Sequence, residues 1–161
     1  VAIVSALAVV DSRITGSGRV VIRDVIVSVA PILYVTGVKW LVERPRPITS
    51  VGSGLLPGDP SFPSGHTAAA VIVSVMMILI VRNFARKCFP DGEDDGRANR
   101  RRVVLRRTII GAVALVVAVA CSRLLLGLHY PTDVIISATI CPLISYAVWC
   151  VWNACESAEE W

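Results

Sequence analysis

Pro63-Ser-Gly-His66, followed directly by Thr67-Ala-Ala-Ala-Val-Ile-Val-Ser-Val-Met-Met-Ile-Leu-Ile-Val81, is the stretch that decides the fold. The fifteen residues from Thr67 to Val81 carry no charge, and the run ends against Arg82. It does not alternate with period two and outruns a typical strand of about 5–6 residues, so it reads as a helix. A helix that is apolar on every side belongs in a large core or in a bilayer. Composition favours the bilayer: 55% of the chain is hydrophobic and only 17% charged, with mean hydropathy +0.68. Soluble domains average about 45–50% apolar and about 25% charged.

Similar runs lie on both sides. Val25 to Val42 is interrupted only by Lys39, Thr108 to Ser122 continues past Arg123 to Leu128, and Val134 to Ala154 closes the series. Several of these fall short of the roughly 20 residues needed to span a bilayer, so their ends would be completed by residues that need not face lipid. Val1 to Val10 is worth about 15 Å of helix, half a span, and reads as the end of a helix whose beginning is missing. Pro31 and Pro142 sit inside spans and predict kinks. The expectation is one all-α, multi-pass membrane domain over residues 1–161, with about four and a half spans. The five cysteines form no Cys-x-x-Cys pair and read as reduced thiols. No basic stretch precedes the first apolar run, so it does not look like a secretory signal.

The sixteen Lys and Arg residues set the topology. Three (Arg13, Arg19, Arg23) lie in the link at 11–24, and nine crowd the link at 82–107. These links are separated by two spans and so share a side, which the positive-inside rule makes cytoplasmic. The 82–107 segment reads as a solvated basic loop with a flexible Gly-Glu-Asp-Asp-Gly-Arg centre. Its charge is explained by topology, with no call for nucleic acid as a partner. Anionic lipid headgroups are the sharper reading for that loop, though the sequence does not require them. The remaining cations (Lys39, Arg44, Arg46, Arg123) fall on the opposite, outer face.

Both histidines of the chain lie on that outer face too, inside three short segments. Lys39 and Arg46 are separated by six residues, with Pro45 and Pro47 around the arginine. The prolines stop the preceding helix and stiffen an extended strip, which lets Arg46 fold back over Lys39. An arginine fork and a compact ammonium together suit phosphate oxygens. Ser64 is a good helix N-cap, and Gly65 permits close backbone approach. The free N–H groups of a helix start favour an anion. Tyr130-Pro131-Thr132-Asp133 reads as another helix start. There Asp133 can accept from one nitrogen of His129, fix its tautomer and leave the other as a nucleophile.

Each segment has a plain alternative: a capped turn, cations snorkelling at the interface, a structural His–Asp pair. Arg44 has no counterpart in the pattern and reads as such a snorkelling or headgroup contact. A metal is a further alternative for two histidines and a carboxylate. Three cations beside them would repel a divalent ion and would suit a phosphate dianion. The co-occurrence of all three segments on one membrane face favours the chemical reading.

With these residues in place, the chain resembles the type-2 phosphatidic-acid phosphatase superfamily, which includes bacterial lipid phosphatases and undecaprenyl-pyrophosphate phosphatases. The resemblance runs over roughly residues 25–150 and rests on Lys39 through Pro47, Pro63 through His66, and Ser122 through Asp133. It implies an all-helical core and a phosphohistidine mechanism without metal or other cofactor. His129 would be the nucleophile, Asp133 its orienting partner and His66 the general acid. Lys39, Arg46, Arg123, Ser64 and the Gly65 amide would bind the phosphoryl group. Membrane members usually have six spans, so the lipid access cleft is expected to be incomplete in this chain. Ile135-Ile-Ser-Ala-Thr also stands where small residues and glycine often follow the aspartate.

The leading expectation is therefore a membrane lipid phosphatase. It would act on polyprenyl or glycerolipid phosphates or pyrophosphates from the extracytoplasmic face of the cell membrane. A phosphotransferase would use the same phosphohistidine with an acceptor lipid. A lipid-phosphate binding or transport protein would keep the cations but has no need of the His129–Asp133 pair. Soluble vanadate-dependent haloperoxidases share the motif logic, but four apolar spans count against them.

Overall fold

The computed structural model describes residues 2–47, 58–90 and 95–159. Among these residues five helices follow one another: α1 (Ala2–Thr15), α2 (Arg19–Val42), α3 (Gly65–Cys88), α4 (Asp95–Leu125) and α5 (Pro131–Glu159). Four of them, all but α1, are long and apolar enough to cross a membrane. The expected all-helical membrane bundle is what forms.

The helices are longer than their apolar runs. The span on α2 and that on α3 each have 24 residues, and those on α4 and α5 have 30 and 28. At 1.5 Å per residue even the shorter pair reaches about 36 Å, more than a hydrocarbon core. The extra turns come from charged residues. Arg82 to Cys88 continues α3, and α4 is already helical at Gly96 and Arg97. The stretch read as a basic loop over 82–107 is thus two helix ends around a short connector, of which 91–94 lie outside the described residues. Arg and Lys are good helix formers, and their long side chains reach water from a helix end. Hydropathy marks where a helix leaves the apolar layer, not where it stops. α2 and α5 run without a break past Pro31 and Pro142.

α3 is the hub, packed against each of the other four helices. It is also the best-buried span, with 44% of its most apolar window enclosed, against 22% for α2 and α5 and none for α4. On α4 the large side chains of Ile110, Val113 and Val117 point outward, which suits a lipid-facing helix. Between the helices a small core forms from Val35, Ala68, Val71 and Cys141, with Tyr34, Val75 and Val116 packed against it. In lipid, helix association depends on close packing and polar contacts, because the tails are as apolar as the side chains. Small and polar groups accordingly sit at the seams. Ser145 Oγ donates to the Val27 carbonyl at 3.1 Å, tying α5 to α2, and Ser74 Oγ donates to the Ala112 carbonyl at 3.4 Å, tying α3 to α4.

A denser polar knot holds the basic end. Arg23 belongs to α2 and is buried, not solvated in a link. Its guanidinium reaches Asp11 of α1 at 2.9 Å and its neighbour Asp24 at 2.7 Å. Asn83 of α3 closes the knot, with Nδ2 donating to both Asp11 oxygens at 3.0 and 2.9 Å. Three helices are thereby pinned in register. Removing one partner of such a buried pair costs about 3–5 kcal/mol, because the other charge is left uncompensated.

Candidate active site

At the opposite end, the chain leaves α2, enters α3, leaves α4 and enters α5. Four helix termini converge there, and local chemistry fixes each one. α2 stops at Glu43, which adopts the left-handed conformation (φ 47°) while its amide still bonds the Lys39 carbonyl at 3.0 Å. The Arg44-Pro45-Arg46-Pro47 strip leaves from that corner, and neither proline can rejoin a helix. α3 starts on Ser64, whose Oγ accepts from the amide of Thr67 at 3.4 Å and from its hydroxyl at 3.0 Å. This is the expected N-cap, and it commits the acceptor side of the hydroxyl.

α4 ends at Gly127, in the left-handed region at φ 64°. The Leu128 amide reaches back to the Arg123 carbonyl at 3.1 Å and the Gly127 amide to that of Leu124 at 2.9 Å. This pair of bonds is a Schellman motif, and glycine is the residue it favours. The last turn of α4 thus carries Arg123, and the chain reverses at Gly127 before His129. α5 opens with Pro131 as its first residue. Asp133 Oδ2 accepts from the Tyr130 amide at 2.9 Å, and the Asp133 amide donates to the Tyr130 carbonyl at 3.0 Å. The carboxylate-to-amide bond is the half of a capping box that the third helical residue supplies, and the backbone turn bond stands in for the other half.

The segments are stitched together directly. The Ser64 amide donates to the Asp133 carbonyl at 3.1 Å, joining the α3 start to the α5 start. The Ser61 amide bonds the Arg44 carbonyl at 2.8 Å, and Ser61 Oγ donates to the Pro45 carbonyl at 3.0 Å. Arg46 Nη1 donates to the Leu128 carbonyl at 3.0 Å and lies 3.4 Å from His129 Nε2. Arginine only donates, so this contact fits an unprotonated Nε2. The ring proton then sits on Nδ1, facing Asp133 Oδ2 at 3.4 Å. At that distance the His129–Asp133 pair is an electrostatic contact, and Nδ1 makes no hydrogen bond among the described residues. The expected bond is nearly set up; resting-state catalytic contacts are often loose in this way. Burial, and next the adjacent Arg46 charge, hold His129 below the ordinary 6.5, outweighing the Ser61 backbone and Asp133.

The remaining expected residues lie close by. A Cβ on Gly65 would sit 3.9 Å from Lys39 Cε, so the lysine stem lies along the start of α3. His66 is exposed on the first turn of α3, and the charges acting on it are those of Arg123, Arg46, Asp59 and Lys39. Arg123 donates to Ser122 Oγ at 3.2 Å, while its Nε is buried with no hydrogen-bond partner among the described residues. Such an orphaned donor is costly unless something binds it. The described residues include no group of three or more His, Cys, Asp or Glu side chains placed to hold a metal ion.

Two residues join that the sequence pattern did not single out for the site. Arg44, expected to snorkel, instead turns inward. Its Nη1 donates to Asp133 Oδ1 at 2.9 Å and to Thr132 Oγ1 at 2.7 Å, with the guanidinium 3.9 Å above the Tyr130 ring. A buried carboxylate and an aromatic face together outcompete headgroup contact. Asp59 is the second. Its carboxylate bridges Lys39 Nζ at 2.5 Å and Arg46 Nη2 at 2.6 Å. Burial pushes its pKa upward, but the hydrogen bonds and charges of Lys39 and Arg46 prevail and hold it at about 2. Lys39 and Arg46 therefore converge as expected, but on a carboxylate of the chain itself.

The family model for the PAP2 superfamily matches residues 21–156, which takes in every one of these side chains. The chain belongs to the PAP2 superfamily. Among solved structures, a transmembrane PAP2-type phosphatidylglycerolphosphate phosphatase from Bacillus subtilis is similar to it, with TM-score 0.68 and 22% identity. The match covers 95% of this chain and 68% of that one. No curated relative matches the sequence. The PAP2 assignment and the matching helical arrangement make this a membrane phosphatase fold.

Proposed function

We propose that this protein is a lipid phosphatase that removes the terminal phosphate of a polyprenyl or glycerolipid phosphate or pyrophosphate. The observation that carries the reading is the placement of His129 Nε2 against Arg46, whose guanidinium shares Asp59 with Lys39 and whose charge acts on His66 together with that of Arg123. The phosphoryl oxygens bind to Lys39, Arg46 and Arg123, with the Gly65 amide and the free hydroxyl hydrogen of Ser64 as further donors. The Nε2 lone pair attacks the terminal phosphorus as the bridging P–O bond breaks, and His66 gives its proton to the departing oxygen, that of the alkoxide from a monoester or of the lipid monophosphate from a pyrophosphate. Water then attacks the phosphohistidine, His66 takes the water proton, the P–N bond breaks to restore the Nε2 lone pair, and inorganic phosphate leaves. Asp133 stabilises the Nδ1 proton throughout. Cations aimed at the transferring group supply the electrostatic part of the catalysis.

A hydrophobic groove supports a lipid as substrate. A cavity of about 490 Å³ runs between α1, α2 and α3, walled by Val35, Ala68 and Ile72, and ends at Lys39 and Asp59. An acyl or prenyl chain would lie there with its phosphate at the cations. Purified protein in detergent should release phosphate from such lipids in the presence of EDTA, and vanadate should inhibit by mimicking the pentacoordinate state. Loss of activity on chelation, restored by one divalent metal, would show that the mechanism is wrong. Adding an acceptor lipid and following its phosphorylation separates hydrolysis from transfer.

We place the site on the extracytoplasmic face. Arg13, Arg19, Arg86, Lys87 and the Arg100–Arg102 run all lie at the far ends of the helices, and such clusters stay cytoplasmic. In cells, a single-cysteine Gly58→Cys variant should react with an impermeant thiol reagent. Gly58 has open space around it. A variant keeping only Cys88, which is exposed at the end of α3, should react only after permeabilisation. The reverse pattern would put the site in the cytoplasm.

A further inference from the structure

Asp59 occupies the place a substrate anion has to take. Its two carboxylate oxygens are shared between Lys39 and Arg46, and Arg46 Nε also donates to the Asp59 backbone carbonyl at 3.1 Å. The two cations are nearly enclosed, with side chains 12% and 9% exposed, whereas the Asp59 side chain is 47% exposed. The carboxylate therefore covers the cations from the solvent side. The guanidinium that holds it through Nη2 also faces His129 Nε2 through Nη1, so a phosphoryl group in reach of that nitrogen meets the same guanidinium as Asp59.

An acidic side chain in a phosphate pocket weakens every anion that binds there, so it calls for an offsetting benefit. The surroundings of a membrane site supply one. Bilayer headgroups are mostly phosphodiesters, each with one negative charge and two free oxygens on phosphorus. Lys39, Arg46 and Arg123 without a resident anion would hold such headgroups unproductively. An anion entering the site must displace the Asp59 carboxylate, and a phosphodiester brings only the charge and the pair of oxygens that leave. A terminal phosphate brings up to two charges and three oxygens, which leaves one oxygen for Arg123, whose buried Nε has no hydrogen-bond partner among the described residues. The difference favours the monoester, and rejecting the competitor is as much a source of specificity as binding the substrate.

We propose that Asp59 is a specificity-determining residue, an internal anion that reserves the Lys39–Arg46 pair for terminal phosphates and keeps phosphodiester headgroups out. The proposal rests on the lipid-phosphatase reading, and the test separates the two. Asp59→Asn and Asp59→Ala are compared with wild type in mixed micelles, by hydrolysis of a lipid phosphomonoester against rising phosphatidylglycerol at constant surface concentration. In parallel, calorimetry measures binding of inorganic phosphate and of a short-chain phosphodiester. Wild type should tolerate the diester lipid, and both variants should be inhibited by it. Both anions should bind the variants more tightly, the diester by about tenfold or more, since it then meets two uncommitted cations. Unchanged diester sensitivity and unchanged anion affinities in both variants would overturn the proposal. So would loss of phosphate binding, which would make Asp59 a scaffold that positions the cations. If wild type hydrolyses no lipid phosphate, the functional reading fails, and the calorimetric comparison still decides the role of Asp59.

Discussion

His129→Ala should release no measurable phosphate from any lipid phosphate that the wild type hydrolyses. The expectation is this severe because the chain has only one other histidine, His66, and it lies on the leaving-group side in the proposed mechanism, while the carboxylate at the cations, Asp59, is the group the substrate displaces. A phosphohistidine trapped by alkaline quench, which preserves the acid-labile N–P bond, should be found in wild type and be absent from the variant. His66→Ala should leave a slower enzyme, down by about 10²–10⁴-fold, and most so for substrates with poor leaving groups. The pH profile gives a second check on His129. Nucleophilic attack needs a neutral imidazole, and burial with the Arg46 charge depresses its pKa below 6.5. The imidazole therefore stays neutral as the pH falls through 6.5, and is lost only below that. The acid limb of kcat/KM, which reports the free enzyme, should lie under 6.5. A limb above that value would mean that Asp133 outweighs burial and Arg46, and a retained activity within tenfold in His129→Ala would remove it as nucleophile.

The parts of this site that could be read from sequence are those fixed by local chemistry. Ser64 and Pro131 announce helix starts wherever they occur, and Pro45 and Pro47 forbid continuation of α2, so the placement of His66, Asp133 and Arg46 at helix ends followed. Spans followed from runs of apolar residues. What stayed hidden depends on pairing across the fold. Asp59 stands in Pro57-Gly-Asp-Pro60, which reads as an ordinary turn; only the tertiary structure brings it to Lys39, twenty positions away. Arg44 looked like an interface cation because nothing local says that Asp133, 89 positions on, has an oxygen to spare. Arg23 counted as one more cytoplasmic charge, although Asp11 and Asp24 hold it inside the bundle. The ends of α3 and α4 were missed for a different reason. Charged residues that form helix well carry no hydropathy signal, so a span and its aqueous extension look like a span and a loop.

The same hidden pairing makes Asp133→Asn the second large effect. Asp133 is fully buried, and three donors surround its carboxylate: the Tyr130 amide and His129 Nδ1 face Oδ2, and Arg44 Nη1 faces Oδ1. Only an acceptor on both sides satisfies all three. Asparagine has one amide oxygen and one NH₂, so one side must present hydrogens to a donor. If the NH₂ turns to Arg44, a charged hydrogen bond is lost and the guanidinium faces another donor. If it turns to His129, Nδ1 must become the acceptor, the ring proton moves to Nε2, and the nucleophilic lone pair is gone. The comparable change in a serine-protease triad lowers kcat by about 10⁴ through the wrong tautomer. A fall of about that order is expected here, in kcat more than in KM, because the cations proposed to bind phosphate are untouched. Arg44→Gln removes the same ion pair but leaves the carboxylate to accept from Nδ1, so it should cost far less in kcat while lowering thermal stability comparably. The contrast between the two variants carries the test. If Asp133→Asn and Arg44→Gln reduce kcat alike and in proportion to lost stability, Asp133 serves only to cap α5 and anchor Arg44, and the orientation of His129 has to come from elsewhere.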